Sequence, residues 1–409
     1  MKHHAEDAPS TPRREPSDVR SAEEQHGSSS VIAAGTPRIN YALILGSILA
    51  LTAIGLTMVF STTAINAFGD AEGSTGVFRG QAEWAAVGLL GMMLVSRVRV
   101  QLLGALGWVL MALSCVLLVL MVVTPLGVEA GGSTNWIRLG PITGQPSEVA
   151  KLALVLWGSA VLTGRATGDR RLLDWLVPVV MPGALVVLTL VWMGGDLGTS
   201  LIIILIVGAL LFSAGIAKRY LLITAGAALA AVVLLMWTTP YRMMRVSAWL
   251  RLNCDHPLGP CRQWEQGFSA LTSGGFWGVG LGESRHRSSL PEAEHDFIFS
   301  ILGEELGLLG AAVVLGLFAV LLLGILRVVA ASQDRFIRLI GTGVAVWIAG
   351  QAFLNIGMVT GLLPVVGVPL PFISAGGSAL TCVLLGVGVL LNFAQRQHLD
   401  RQSALRSAR

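Results

Sequence analysis

Ten apolar stretches, each close to the ~20 residues needed to cross the hydrocarbon core of a bilayer, leave this chain few folds to choose from. A segment in hydrocarbon must satisfy its backbone N–H and C=O groups internally, which leaves the helix or the closed barrel. These runs are too long and too continuous for the alternating strands of a barrel. They cover 41–61, 79–96, 101–123, 146–163, 175–193, 197–215, 219–237, 296–325, 336–361 and 377–395; the fifth and sixth are nearly fused through Gly194, Gly195 and Asp196, which leaves nine as the alternative count. Only 13% of residues are charged, about half the share usual in soluble domains. The expected fold is an all-α polytopic membrane protein with ten transmembrane helices.

The basic residues orient it. Arg97 and Arg99, then Arg165, Arg170 and Arg171, then Lys218 and Arg219, then Arg327, Arg335 and Arg338 mark short loops on one side, and the end of the chain adds Arg396, Arg401, Arg406 and Arg409. Lys and Arg accumulate in cytoplasmic loops, so both termini are expected in the cytoplasm. Residues 1–38 are polar and rich in Ser, Pro and His and read as a disordered tail without a cleavable signal peptide; 39–395 form the membrane domain and 396–409 a cytoplasmic tail.

One large outer loop, 238–295 between helices 7 and 8, breaks the charge rule with Arg242, Arg245, Arg251, Arg262, Arg285 and Arg287. Anchoring to lipid headgroups is one reading. The other is an anionic substrate held by forked, charge-assisted contacts, as Arg favours for phosphate. Arg138, on an earlier outer loop, supports the second. Cys254 and Cys261 enclose a short Pro- and Gly-containing turn on the oxidising side, where a disulfide is expected. A zinc site is the weaker alternative, because a second histidine at finger-like spacing is missing.

Acids stand at helix starts along the same outer edge. Glu148 and Lys151 fall at i and i+3 behind Pro146, and Asp196 and Asp296 each precede an apolar helix. Glu304 and Glu305 lie about two turns deeper than Asp296. Each acid alone is explained by an ion pair or by the helix dipole. Together with the arginines they point to one polar cavity opening outward, since ionisable groups at a bilayer edge are seldom there for stability.

Several long motifs in fixed order resemble the SEDS (shape, elongation, division and sporulation) family, which includes FtsW and RodA. They are WIRLGP and QPSEVAKL (136–141, 145–152), DLGTS (196–200), YRMMRV (241–246), Gln263 and Gln266 before SGGFWGVGLGES (273–284), LPEAEHDFIFSILGEELGLLG (290–310) and NIGMVTGLLPVVGVPLPFISAGGS (355–378). LPEA and the long polar N-terminal tail are most similar to the division-type branch, FtsW, rather than the elongation-type branch, RodA.

The resemblance implies a peptidoglycan glycosyltransferase that polymerises lipid II at the outer face of the cytoplasmic membrane, at the division septum. The acceptor's GlcNAc 4-hydroxyl attacks the anomeric carbon of the donor chain's MurNAc, and undecaprenyl pyrophosphate leaves. Asp296 matches the family's essential aspartate, with the implied role of general base. The implied substrate-binding set is Arg138, Glu148, Lys151, Asp196, Arg245, Gln263, Gln266, Arg285, Arg287 and Ser378. A class B penicillin-binding transpeptidase and membrane proteins of the division machinery are the implied partners; nucleic acid is not. No metal ligands are identified, and a divalent cation, Mg2+ or Mn2+, is left open as cofactor. This chain departs from the pattern at Glu294-His295, where the family has His-Thr, at Ala375, where it has Tyr, and at Gly195, where it has Pro.

Two other classes of function fit part of the pattern. A lipid II flippase requires polar residues lining both leaflets, whereas here they gather at the outer edge. A non-catalytic scaffold of the division machinery tolerates loss of Asp296.

Overall fold

The computed structural model describes residues 37–407 apart from 65–70, 131, 141, 165–171, 180–182, 238–239, 253 and 255–258. Most of the N-terminal tail expected over 1–38 therefore lies outside the described residues. The chain begins with α1 (Pro37–Ala64), α2 (Ala71–Val95) and α3 (Val100–Val123), followed by β1 (Gly127–Ala130), β2 (Ser133–Leu139) and β3 (Ile142–Gly144). Next come α4 (Pro146–Thr163), α5 (Leu172–Val179), α6 (Leu185–Met193), α7 (Leu197–Ala214) and α8 (Lys218–Trp237). After these, α9 (Pro240–Trp249), α10 (Pro260–Ser273), α11 (Ile298–Ala331), α12 (Arg335–Val359) and α13 (Gly377–Ser407) complete it.

Among the described residues, six helices are long and apolar enough to cross a membrane: Pro37–Thr63, Val100–Val123, Leu197–Ala214, Ile298–Ala331, Arg335–Val359 and Gly377–Leu399. With large apolar side chains such as Leu94, Val109, Val116 and Leu234 exposed on helix surfaces, the fold is that of a helical polytopic membrane protein. Neighbouring helices pack in pairs, α1 on α11, α2 on α13, α3 on α4 and α7 on α12. Fully buried Trp347, Ile348, Leu390 and Ile325 mark the interior of the bundle.

The fifth apolar stretch holds α5 and α6, with residues 180–182 between them outside the described residues. The elements differ from the sequence expectation in three places. The 127–144 segment is a small antiparallel sheet in the order β1-β2-β3, with the Ile137 side chain of β2 buried; an all-α description omits it. The 238–295 segment contains two amphipathic helices, α9 and α10, and the Cys254–Cys261 disulfide ties a residue between them to the start of α10. At the other end α13 runs on to Ser407, past the 395 boundary.

The break in α11 shapes the end of the molecule that carries the 238–295 segment. Gly307 has φ 68°, ψ −168°, so the helix is interrupted nine residues from its start. Backbone groups freed within a membrane helix must find other partners. The turn 274–280 supplies them: Val279 N and Gly280 N donate to Glu304 O and Glu305 O, at 2.9 and 3.1 Å, while Leu308 N and Leu309 N donate to Gly275 O and Phe276 O. Gly274 permits the approach, because a Cβ there would lie 2.7 Å from Glu304 O. The outer segment thus folds back into the helix instead of hanging free.

Candidate active site

At one end of the bundle a cavity of about 420 Å³ collects residues from seven parts of the chain: β2, the start of α4, the start of α7, Met236 near the end of α8, the α9–α10 region, and the two segments 291–297 and 364–379. Asp196, Arg242, Arg245, Gln263, His295 and Asp296 all line it.

Asp196 caps α7. Its Oδ1 accepts from Thr199 N at 2.8 Å, and its Oδ2 accepts from Thr199 Oγ1 at 2.8 Å and Gln145 Nε2 at 3.1 Å, with Asn135 Nδ2 at 3.4 Å. An N-cap acid with this many donors is committed to geometry. It joins α7, β2 and the start of α4 at one point.

Asp296 is different. The cap residue of α11 is Phe297, which makes no side-chain capping bond, so the aspartate lies just before the membrane helix without capping it. Its carboxyl is half-buried in the cavity wall, and a methyl added at Gly367 would come within 3.4 Å of Asp296 Oδ2 and 3.8 Å of Arg245 Nη1. Burial pushes the carboxyl up to about 6, opposed by His295, reinforced by Glu292, opposed again by Arg245 and raised slightly by Asp196. The charged form loses hydration that its neighbours only partly replace.

In the same lining, α9 presents Arg242 and Arg245 at i and i+3, which places both on one face. Arg242 lies over the Trp192 ring at 3.7 Å, a geometry that favours guanidinium on indole. Burial, and then Arg245, lower its pKa, while Asp196 raises it. Arg245 Nη1 donates to Val365 O at 3.2 Å.

The remaining candidates divide by position. Gln263 lines the cavity. Ser378 Oγ accepts from Gln145 N at 3.1 Å and so fixes the start of α4 from outside the lining. Glu148 and Lys151 form a buried ion pair at 2.7 Å one turn below, with Lys151 5.4 Å from the Trp347 ring. The pair supports the floor and is sealed from the cavity. Arg138 is exposed on β2, Gln266 is half-buried on α10, and neither lines the cavity. Arg285 and Arg287 go elsewhere too: Arg285 is exposed and uses its backbone N on Glu304, and Arg287 Nη1 donates to Ser61 O at 3.2 Å. The structure therefore does not bring Arg138, Gln266, Arg285 and Arg287 to Asp296. The outer arginines serve two places because the loop splits, α9 turning to the cavity and 284–287 folding onto α11.

Sequence reasoning named Arg242 only among the loop arginines and passed over Gln145, Asn135 and Gly367 as site residues. Arg242 lies in YRMMRV, Gln145 opens QPSEVAKL and Gly367 lies in the 355–378 block; Asn135 immediately precedes WIRLGP. His295, displaced from the family position, turns its ring to the rim, with Nδ1 3.2 Å from Glu292 Oε2. Among the described residues no three His, Cys, Asp or Glu side chains converge.

A family model described as a cell cycle protein, FtsW/RodA/SpoVE, matches residues 41–399. The probable peptidoglycan glycosyltransferase FtsW of Mycobacterium tuberculosis is 38% identical over 376 residues, 92% of this chain and 71% of that protein. Among solved structures, a chain from a study of the structural coordination of polymerization and crosslinking by a peptidoglycan synthase complex superposes with a TM-score of 0.70 at 29% identity, covering 87% of this chain and 97% of the other. The rod shape determining protein RodA of Thermus thermophilus superposes with a TM-score of 0.64 at 27% identity, over 87% and 96% of the two chains.

Proposed function

This chain belongs to the FtsW/RodA/SpoVE family and is a membrane-embedded peptidoglycan glycosyltransferase of the division type, and from that premise we propose that Asp296 is the general base of its glycosyl transfer. The substrate is lipid II. Asp296 accepts the proton of the acceptor's GlcNAc 4-hydroxyl as that oxygen bonds to the anomeric carbon of the donor's MurNAc. The bond from that carbon to the pyrophosphate oxygen breaks, and the electron pair leaves on undecaprenyl pyrophosphate.

The observation that carries this reading is the place of the Asp296 carboxyl in the lining of an open cavity that Arg242 and Arg245 also line, where burial raises its pKa to about 6. A base whose pKa lies near the working pH combines availability with driving force. The arginines are suited to the charge that grows on the leaving pyrophosphate, where preorganised cations contribute most. Asp196, Gln145 and Asn135 hold the walls in register, Gln263 offers a neutral hydrogen-bonding contact, and Glu148, Lys151 and Ser378 support the floor.

The topology that accompanies this proposal has ten membrane passages, both termini in the cytoplasm and the 238–295 segment outside. It places the cavity at the outer leaflet of the cytoplasmic membrane, where lipid II is consumed, and the enzyme at the septum. A class B penicillin-binding transpeptidase is the partner that fits, because a glycan polymer needs a crosslinking activity beside it. The relative that functions in a synthase complex coordinating both activities supports that choice. The test is lipid II polymerisation by purified protein with its transpeptidase. Polymer from wild type and none from Asp296→Asn is the expected result. Equal polymer from both would remove Asp296 from the mechanism, and lipid transport without polymer would favour a flippase.

A further inference from the structure

Asp296 is asked to hold one position, yet it belongs to a turn, since α11 starts two residues later. Three successive carbonyls of that turn are each held by a neighbouring segment. Glu294 O accepts from Ala375 N at 2.9 Å, His295 O from Ser374 Oγ at 2.6 Å, and Asp296 O from Asn355 Nδ2 at 2.9 Å. Asn355 comes from α12, is fully buried, and with the same Nδ2 also donates to Val368 O at 2.8 Å. A primary amide brings two donors on one nitrogen, so this side chain joins the turn of Asp296 to the 364–376 segment. Ser374 Oγ meanwhile accepts from Leu370 N at 2.8 Å, which closes that segment on itself.

The joined segment is the one that faces the carboxylate. Gly367, one residue before Val368, has φ +69°, and a side chain there would approach both Asp296 Oδ2 and Arg245 Nη1. The bare backbone at this point forms the wall against which the carboxylate rests. Losing the Asn355 amide frees two buried carbonyls, Asp296 O on one side of that wall and Val368 O on the other.

We propose that Asn355 is a positioning residue for the transfer reaction: by tying Asp296 O to Val368 O it keeps the Asp296 carboxylate against the Gly367 wall and screened from water. This rests on the reading of Asp296 as the base. The charged groups that face the carboxylate are His295 and Glu292 from its own turn, Arg245 from α9 and Asp196 from the start of α7. An Asn355 variant leaves all four in the chain and changes the screening between them.

The experiment measures initial rates of lipid II polymerisation between pH 5 and 9 for the protein with its transpeptidase, comparing wild type with Asn355→Ala, Asn355→Gln, Ser374→Ala and Asp296→Asn. For Asn355→Ala the expected loss in kcat is about 10- to 100-fold with KM little changed, as for a small misplacement of a reacting group. The midpoint of the acid limb moves down towards the ordinary carboxylate range as water reaches the group. Asn355→Gln keeps both donors on a longer arm and restores part of the rate and of the midpoint, and it stands in if the alanine variant does not fold. Ser374→Ala, which frees only the adjacent carbonyl, gives a smaller shift in the same direction.

A slower Asn355→Ala or Asn355→Gln enzyme whose midpoint equals that of wild type would reduce Asn355 to an ordinary packing contact and overturn the proposal. An active Asp296→Asn enzyme would instead overturn the assignment of the base. The two failures are separate readings of one set of curves.

Discussion

Two sets of carboxylates lie within three helical turns of each other along one stretch of chain, and the protein treats them in opposite ways. Glu304 accepts from Ser284 Oγ at 2.5 Å and Arg285 N at 3.0 Å, with His286 Nδ1 at 2.9 Å. Glu305 accepts from Ser61 Oγ at 2.6 Å, and that hydroxyl also receives Gly282 N at 3.0 Å. These acids fasten the outer segment 282–287 to α1 and α11, beside the break at Gly307. Asp296 faces a glycine, an arginine and an open cavity. A carboxylate whose lone pairs are engaged holds structure in place, whereas one that is screened but left open keeps its affinity for a proton.

The strongest test of this contrast exchanges one atom in each acid. Asp296→Asn is expected to lose about 10²- to 10⁴-fold in polymerisation rate, the usual value of a general base, with a melting temperature equal to or above that of wild type. Glu304→Gln is expected to do the reverse. It replaces a charge-assisted set of hydrogen bonds, each worth about 1.5–3 kcal/mol, so thermal unfolding in detergent shifts down while the folded fraction stays active. A Glu304→Gln protein of normal stability and no activity would merge the two regions into one site.

The sequence carried one half of this contrast more clearly than the other. The helices follow from apolar length, and Asp296 stands out because a charge at the edge of an apolar run has few reasons to be there. The sheet at 127–144 is invisible to that reasoning: its strands are 4, 7 and 3 residues long, too short for a period-two pattern to show. Nor does local spacing reveal that Arg285 and Arg245, from the same loop, go to different places. That division depends on Gly307 breaking α11 and on the glycines at 274 and 278 fitting the gap, which are long-range events. Asn355 is hidden for a related reason. An asparagine within an apolar helix reads as a tolerated polar residue until the two carbonyls it joins, 59 and 13 residues away, are brought together.

The next largest effect concerns pH. Asp296 must be deprotonated to accept a proton, and its folded-state pKa is raised from 3.8 to about 6. Polymerisation should therefore fall about tenfold per unit of pH well below 6 and level off above it. The sign for stability is opposite: burial disfavours the ionised form, so this carboxyl's contribution to folding declines as pH rises from about 4 to about 6. An acid limb centred near 4 would show that Asp296 is hydrated in the working enzyme and that the difference from Glu304 is one of location alone.

Gly367→Ala tests the wall directly. The left-handed φ of +69° strains any side chain, and the added methyl falls beside both Asp296 and Arg245. A loss in kcat of about tenfold is expected from displacement of the base, with KM changing less. An alanine enzyme that runs at the wild-type rate would mean that the carboxylate is not held against this backbone.

The smallest expected effect separates the two groups of arginines. Arg245→Ala removes a cation next to the base and from the cavity wall, and it should slow polymerisation and move the acid limb upward, because a positive neighbour favours the ionised carboxylate. Arg285→Ala removes a side chain that is exposed and leaves the backbone N that Glu304 needs. Surface substitutions of that kind change stability by no more than about 0.5 kcal/mol, so rate and melting temperature should both stay within about twofold and a degree or two of wild type. A large rate loss on Arg285→Ala at unchanged stability would mean that the outer segment held by Glu304 moves to the cavity when lipid II binds. The acids of α11 would then be the latch on a mobile part of the active site, and the division between fastening and reacting carboxylates would hold only for the empty enzyme.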